Sequence, residues 1–183
     1  MIGALGILAV MGLALYAMGQ PLWCAGGEPW LWSSEVWSRH NSQHLLDPYT
    51  FSHVSHGLLL AILLRSVLSE PAYRRRGFVI AVAFEAAWEL LENTDVVIRR
   101  YRETTMSLDY FGDSVANSIG DVLAMMAGYL VAERIPTWAA VACFVALELG
   151  LALWIRDGVL LNVLMLVAPA EAIKTWQLGG APR

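Results

Sequence analysis

Six apolar runs divide this chain, at about residues 2–19, 52–69, 77–93, 114–132, 136–154 and 158–175. Each approaches the roughly 20 residues that carry a helix across a bilayer. A spanning segment must satisfy its backbone polar groups internally. The expected fold is therefore all-α: an integral membrane helical bundle of about six transmembrane helices, forming one membrane domain over residues 1–183. Composition agrees, with 57% hydrophobic residues, 15% charged residues and a mean hydropathy of +0.53, far more apolar than a soluble domain. The opening run, MIGALGILAVMGLALYAMG, lacks the basic n-region of a signal peptide and reads as a retained span.

The insert from Gln20 to Phe51 carries Trp23, Trp30, Trp32 and Trp37, which predicts an interfacial helix lying along the membrane in the first outer loop. Cys24 follows the first run and Cys143 lies inside a later one, so no disulfide is expected. A net charge of −4 gives no reason to expect a nucleic-acid partner. The compact YRRRG cluster, Arg74 to Arg76, marks a cytoplasmic connection by the positive-inside bias. Six spans then put both termini in the cytoplasm, while Arg99, Arg100 and Arg102 fall outside, against that bias.

The third run contains FEAAWELLENTDVV, whose Glu85, Glu89 and Glu92 occupy one helical stripe about 60° wide. A carboxylate at a helix centre costs about 2.5–3.5 kcal/mol to insert, and a large apolar residue returns only about 0.3–0.6. These groups need partners: protons, histidines, an arginine, water or a metal. The topology brings His53, His56, Asp113, Asn117, Asp121, Glu148 and Asn162 to the same outer depth. Glu89, Glu92, Asp113 and His56 are the candidate catalytic residues. A divalent metal ion would take its ligands from His53, His56, Glu89, Asp113 and Asp121. Asn117, Arg99 and Arg102 are candidates for holding a cofactor or an anionic headgroup.

Blander roles remain open for each. His53 and His56 also suit an interfacial hydrogen-bonding patch, and the carboxylates a structural network between helices. Glu85 and Glu148 could pair with Arg65 or stay protonated. His40 and His44 are expected on a solvated or interfacial face. Gly120, Ala124 and Gly128 follow small-xxx-small spacing, which predicts that the third and fourth spans are pressed together.

Three blocks, SQHLLDPYTFSHVSHG, EAAWELLENT and SLDYFGDSVANSIGD, resemble a family of alphaproteobacterial multi-pass inner-membrane proteins catalogued as a domain of unknown function. The resemblance implies an inner-membrane location and brings no activity with it. More distantly, His56, Glu89, Asp113, Asn117 and Gly120 resemble the layout of VanZ-like membrane proteins. Three functions fit these residues. One is a membrane-embedded enzyme acting on a lipid or lipid-linked substrate. Another is a proton- or cation-linked transport or binding module. The third is a non-catalytic accessory subunit in a membrane complex with protein partners.

Overall fold

The computed structural model describes residues 2–180. Among them there is no β-strand, only an isolated bridge between Trp32 and Leu46. Helix α1 (Ile2–Ala17) leads into a long irregular segment, then α2 (Thr50–Val67). A short α3 (Glu70–Ala72) continues through a π-helical turn (Tyr73–Gly77) into α4 (Phe78–Glu92). Next come α5 (Asp95–Thr104), α6 (Val115–Arg134), α7 (Thr137–Trp154), α8 (Val159–Val167) and α9 (Glu171–Leu178). Three of these, α2, α6 and α7, are long and apolar enough to cross a membrane.

Two expectations about elements fail. The run at 158–175 is two short helices, α8 and α9, rather than a sixth span. Pro169 lies between them, and the residue ahead of a proline avoids helical geometry. Nine residues of α8 rise only about 14 Å, too little to cross. No helix forms between Ala17 and Thr50, so the tryptophan-rich insert is not an interfacial helix. It is a folded loop whose backbone is spent on other elements. The N–H groups of Val115 and Ala116, at the start of α6, donate to the carbonyls of Pro21 and Leu22 at 2.8 and 3.2 Å. Ser114 completes this cap, its Oγ accepting from the Asn117 N–H at 3.1 Å.

The C-terminal helices fold back over the same end of the bundle. Leu178 packs with Val36, Trp37, Met106 and Ile155, and Gln177 Nε2 donates to the Arg156 carbonyl at 3.0 Å. Ile2 lies at the far end of α1. The described chain ends therefore stand at opposite ends of the bundle, whereas six spans would have put them together.

The core runs along α1, α2, α4 and α6, through Met11, Leu15, Leu58, Val82, Met125 and Tyr129. The small-residue stripe of α6 acts here, but against a different neighbour from the one expected. A Cβ on Gly128 would stand 2.2 Å from the carbonyl oxygen of Val54 in α2. One on Gly57 in α2 would stand 2.0 Å from the carbonyl of Met125. One on Gly120 would meet the Leu45 carbonyl of the long loop at 1.9 Å. The stripe thus joins α6 to α2 and the loop, rather than to α4. Backbone contact of this kind admits no methyl group.

Gly128→Ala should destabilise the protein by about 1–3 kcal/mol, despite the better helix propensity of alanine. Gly150→Ala, where an added Cβ meets nothing within 4 Å, should be neutral or gain up to about 1 kcal/mol. Thermal melts of the two variants in detergent check the contrast; equal melting temperatures would mean α2 and α6 do not touch at Gly128.

Candidate functional site

The acidic stripe of α4 faces the first two turns of α2 and the first two of α6. Glu85 is 1% exposed, and its Oε1 lies 2.7 Å from Nδ1 of both His53 and His56. A carboxylate oxygen facing two imidazole nitrogens accepts a hydrogen bond from each, which puts the hydrogens on Nδ1 and frees both Nε2 atoms. Glu85 therefore orients two histidines instead of pairing with Arg65. That guanidinium is engaged at the other end of α2, with the Ala132 carbonyl and Thr137.

His53 Nε2 faces Asp121 Oδ2 at 3.7 Å, and its Nδ1 lies 3.5 Å from Glu89 Oε1. Each of His53, Glu89 and Asp121 places one ligand atom within 4.8 Å of the others. Both carboxylate oxygens of Glu89 and the Oδ1 of Asp121 are buried without a protein hydrogen-bond partner. Glu89, Glu92 and Asp113 form a second such group beside the first. Asp113 is fixed from two sides. Its Oδ2 accepts from Asn93 Nδ2 at 2.8 Å and its Oδ1 from the Tyr110 hydroxyl at 2.9 Å.

A cavity of about 50 Å³ opens among these groups, lined by His53, His56, Glu92, Tyr110, Asp113 and Asp121 among others. That volume admits a few water molecules or one ion. Among the described residues, no lysine or arginine lines it. Beyond Trp88 and Val163, which border both, lies a larger groove of about 590 Å³ with Leu91, Val97, Leu166 and Val167 on its walls. Arg99 and Arg100 stand on that groove.

The structure therefore gathers His53, His56, Glu89, Glu92, Asp113 and Asp121 as expected. It separates the three residues proposed for ligand holding. Asn117 donates from Nδ2 to the His44 carbonyl at 2.8 Å and so pins the long loop. Arg99 faces the apolar groove, and Arg102 donates to the Tyr110 carbonyl. Glu148 is a cap, accepting from the Val159 and Leu160 N–H groups of α8. His40 and His44 are buried, not solvated. Asn93 continues the stripe one turn beyond Glu89, so its place near the outer end follows from helical periodicity; Tyr110 was missed. Tyr110 gave no signal, because a loop tyrosine has no periodicity to betray its direction.

A second polar knot closes the roof. Asp157 Oδ2 accepts from the Tyr49 hydroxyl at 3.1 Å, and its Oδ1 from the Gly158 N–H and Gln177 Nε2 at 2.9 and 3.2 Å. Asp47 accepts from the N–H groups of Ser42, Tyr49 and Thr50 ahead of α2. Burial raises both carboxyls to about 7, with the nearby Asp113 charge adding to the shift at Asp47 and Glu148 at Asp157.

This architecture defines an all-helical protein with three helices long and apolar enough to cross a membrane and a buried His/Glu/Asp cluster. Residues 15–179 match the family described as "Protein of unknown function (DUF2585)", and the chain belongs to it. The UPF0314 protein R03235 of Rhizobium meliloti is 46% identical over 98% of this chain and 90% of its own length. The UPF0314 proteins of Sphingopyxis alaskensis and Paracoccus denitrificans are 47% and 45% identical, over 97% and 93% of this chain and 94% and 88% of theirs. These relatives carry the alphaproteobacterial resemblance, not the VanZ-like one. No solved structure matches the chain.

Because the folded carboxyl of Asp157 titrates above its unfolded value of about 3.9, its contribution to stability is complete below about pH 4 and is lost as pH rises through 7. Its ceiling is about 4 kcal/mol. The protein should melt at a lower temperature at pH 8 than at pH 5.5. Asp157→Asn, which copies the protonated acid, should reduce that difference. An unchanged pH dependence in the variant would show that Asp157 does not titrate in this range.

Proposed function

We propose that this chain is a single-domain inner-membrane protein whose buried His/Glu/Asp cluster is a divalent-cation centre acting on a lipid or lipid-linked substrate. The observation that carries the reading is Glu89. A buried carboxylate with neither oxygen bonded to protein, facing Asp121 and His53, is costly unless a cation or a proton neutralises it. Five carboxylates, Glu85, Glu89, Glu92, Asp113 and Asp121, surround two histidines, with no lysine or arginine among the described residues on the cavity wall. Even two protonated imidazoles would leave the cluster negative. Oxygen-rich ligation with one or two imidazoles suits manganese, iron or zinc.

Glu85 supplies the orientation that a metal ligand or general base needs, holding Nδ1 of both histidines and leaving Nε2 to act. His56 and Glu92 border the cavity as acid and base candidates, and Asp113 is held still by Asn93 and Tyr110. The groove beyond Trp88 supplies the substrate class. Its walls are mainly apolar, and its charged lining is Arg99, Arg100 and Glu103, net positive, which suits an acyl chain with an anionic headgroup.

In the membrane arrangement we propose, α1, α2, the continuous helix 70–92, α6 and α7 cross the bilayer. The long loop, α5, α8 and α9 lie together at one face. Basic residues occur at both ends, so orientation rests on the compact Arg74–Arg76 cluster, which assigns its end to the cytoplasm. The polar centre then opens toward the periplasm, and the C-terminal helices lie there too. Single cysteines introduced at positions 74 and 35 in a Cys143→Ala background that keeps the buried Cys24, with the labelling of that parent subtracted, test this. An impermeant thiol reagent applied to intact spheroplasts should label position 35 and spare position 74; the opposite result reverses the orientation.

The catalytic centre is tested with Glu89→Gln. Full-length wild type in detergent should bind Mn²⁺ in equilibrium dialysis and lose thermal stability on chelation. The variant should bind at least about tenfold more weakly, with a metal-free melting temperature equal to or above that of wild type. Lipid extracts of cells expressing the two proteins, compared by mass spectrometry, should differ in a lipid species that only wild type alters. A wild type that binds no Mn²⁺, with lipid profiles identical to those of Glu89→Gln, would reduce the cluster to a structural network.

A further inference from the structure

The long loop contains a second cluster, separate from the acidic cavity, in the sequences CAGGE (24–28) and HNSQH (40–44). Cys24, His40 and His44 are 6%, 8% and 0% exposed, far below what a solvated loop would show. Cys24 Sγ lies 3.7 Å from His40 Nδ1, and His40 Nδ1 lies 3.1 Å from His44 Nε2. All three ligand atoms fall within 4.8 Å of one another. A tetrahedral zinc ion with Zn–S of about 2.3 Å and Zn–N of about 2.05 Å sets S···N and N···N edges near 3.6 and 3.3 Å. The two measured edges match these to about 0.2 Å.

The surroundings are arranged as a metal site requires. His44 Nδ1 lies 2.9 Å from the Trp30 carbonyl, which accepts its N–H and leaves Nε2 bare toward the cluster. The Trp30 ring packs on both imidazoles, with centroids 4.9 and 5.4 Å away. Glu28 stands beside this group, its Oε2 lying 3.3 Å from Cys24 Sγ but outside the 4.8 Å set, and its side chain would turn inward to supply the fourth donor. Its other oxygen is held by Arg39 Nη2 at 2.6 Å. Gly26 leaves room for this carboxylate: a Cβ there would stand 2.1 Å from Glu28 Oε2 and would displace it.

We propose that Cys24, His40, His44 and Glu28 form a zinc-class metal site that fixes the long loop over the end of the bundle. On binding, the Cys24 thiol releases its proton to solvent and its sulfur lone pair forms the metal bond, so the ion is held by one thiolate, two neutral imidazoles and one carboxylate. The two negative ligands balance a divalent cation, which leaves a neutral centre suited to burial. Soft sulfur with two nitrogens separates this site from the oxygen-rich acidic cluster, and favours zinc over manganese or magnesium. Its role is structural. The His44 carbonyl accepts from Asn117, and Ser42 and Gln43 bind Ser114 and Gly112, so the loop that carries the metal also caps α6.

The test uses the full-length chain carrying Cys143→Ala, in which Cys24 is the sole thiol, titrated with Co²⁺ in detergent. A thiolate-to-cobalt charge-transfer band should saturate at one equivalent and vanish when Zn²⁺ is added. Separate His40→Ala and His44→Ala variants should weaken cobalt binding at least about tenfold, while Glu89→Gln should keep the band unchanged, which separates this site from the acidic centre. Cys24→Ser should abolish the band. If that variant does not fold, the parent band and its displacement by zinc still decide. No band in the parent protein, or undiminished affinity in both histidine variants, overturns the proposal.

Discussion

The contact on which the rest depends is the meeting of the α2 and α6 backbones at Gly57 and Gly128. Two helices that touch through bare backbone are held at one separation, because neither can yield a fraction of an ångström without losing the contact. His53 sits one turn before Gly57, and Asp121 two turns before Gly128, on the same faces. Their 3.7 Å approach follows from that separation. Helix α4 then lays Glu85 and Glu89 against His53, and the loop residue Leu45 closes on Gly120. The polar centre is therefore a product of glycine packing below it.

Much of this was legible in the sequence because helical periodicity reports direction. Glu85, Glu89 and Glu92 could be placed on one stripe, and His53, His56, Asp113 and Asp121 at its depth, without any coordinates. Partner assignment was less accessible. The glycines of α6 announced a close contact but not with whom, since spacing describes one face of one helix. The run at 158–175 misled because hydropathy sums over Pro169, although that residue divides the helix. The segment 18–49 was the least readable: it has no period, its tryptophans suggested the membrane interface, and its carbonyls cap a helix that lies some 90 residues further on in the chain.

That same loop joins the two polar clusters. Asn117 lies on α6 one turn before Asp121, and it binds the carbonyl of His44. Tyr49 reaches Asp157, tying the start of α2 to the turn before α8. Cavity, loop and C-terminal helices thus share a hydrogen-bonded roof, whose members come from both halves of the chain. Glu148, which caps α8 from within α7, belongs to this roof rather than to the His/Glu/Asp cluster beneath it.

In the membrane arrangement proposed above, the sharing of Glu85 between His53 and His56 also bears on how such a chain would enter the bilayer. The ribosome delivers α2 first, so both imidazoles are present when Glu85 emerges, and the first carboxylate of the stripe meets its partners within a helical hairpin. Glu89 has to wait for Asp121 and for the roof that ends at Asp157. At roughly 5–20 residues per second, the distance from Glu89 to Asp157 occupies about 3–14 s of synthesis. Through that interval the hairpin holds a stripe already hydrogen-bonded at one end and still open at the other. The order of residues along the chain thereby protects the insertion of the most acidic helix before the site around it exists.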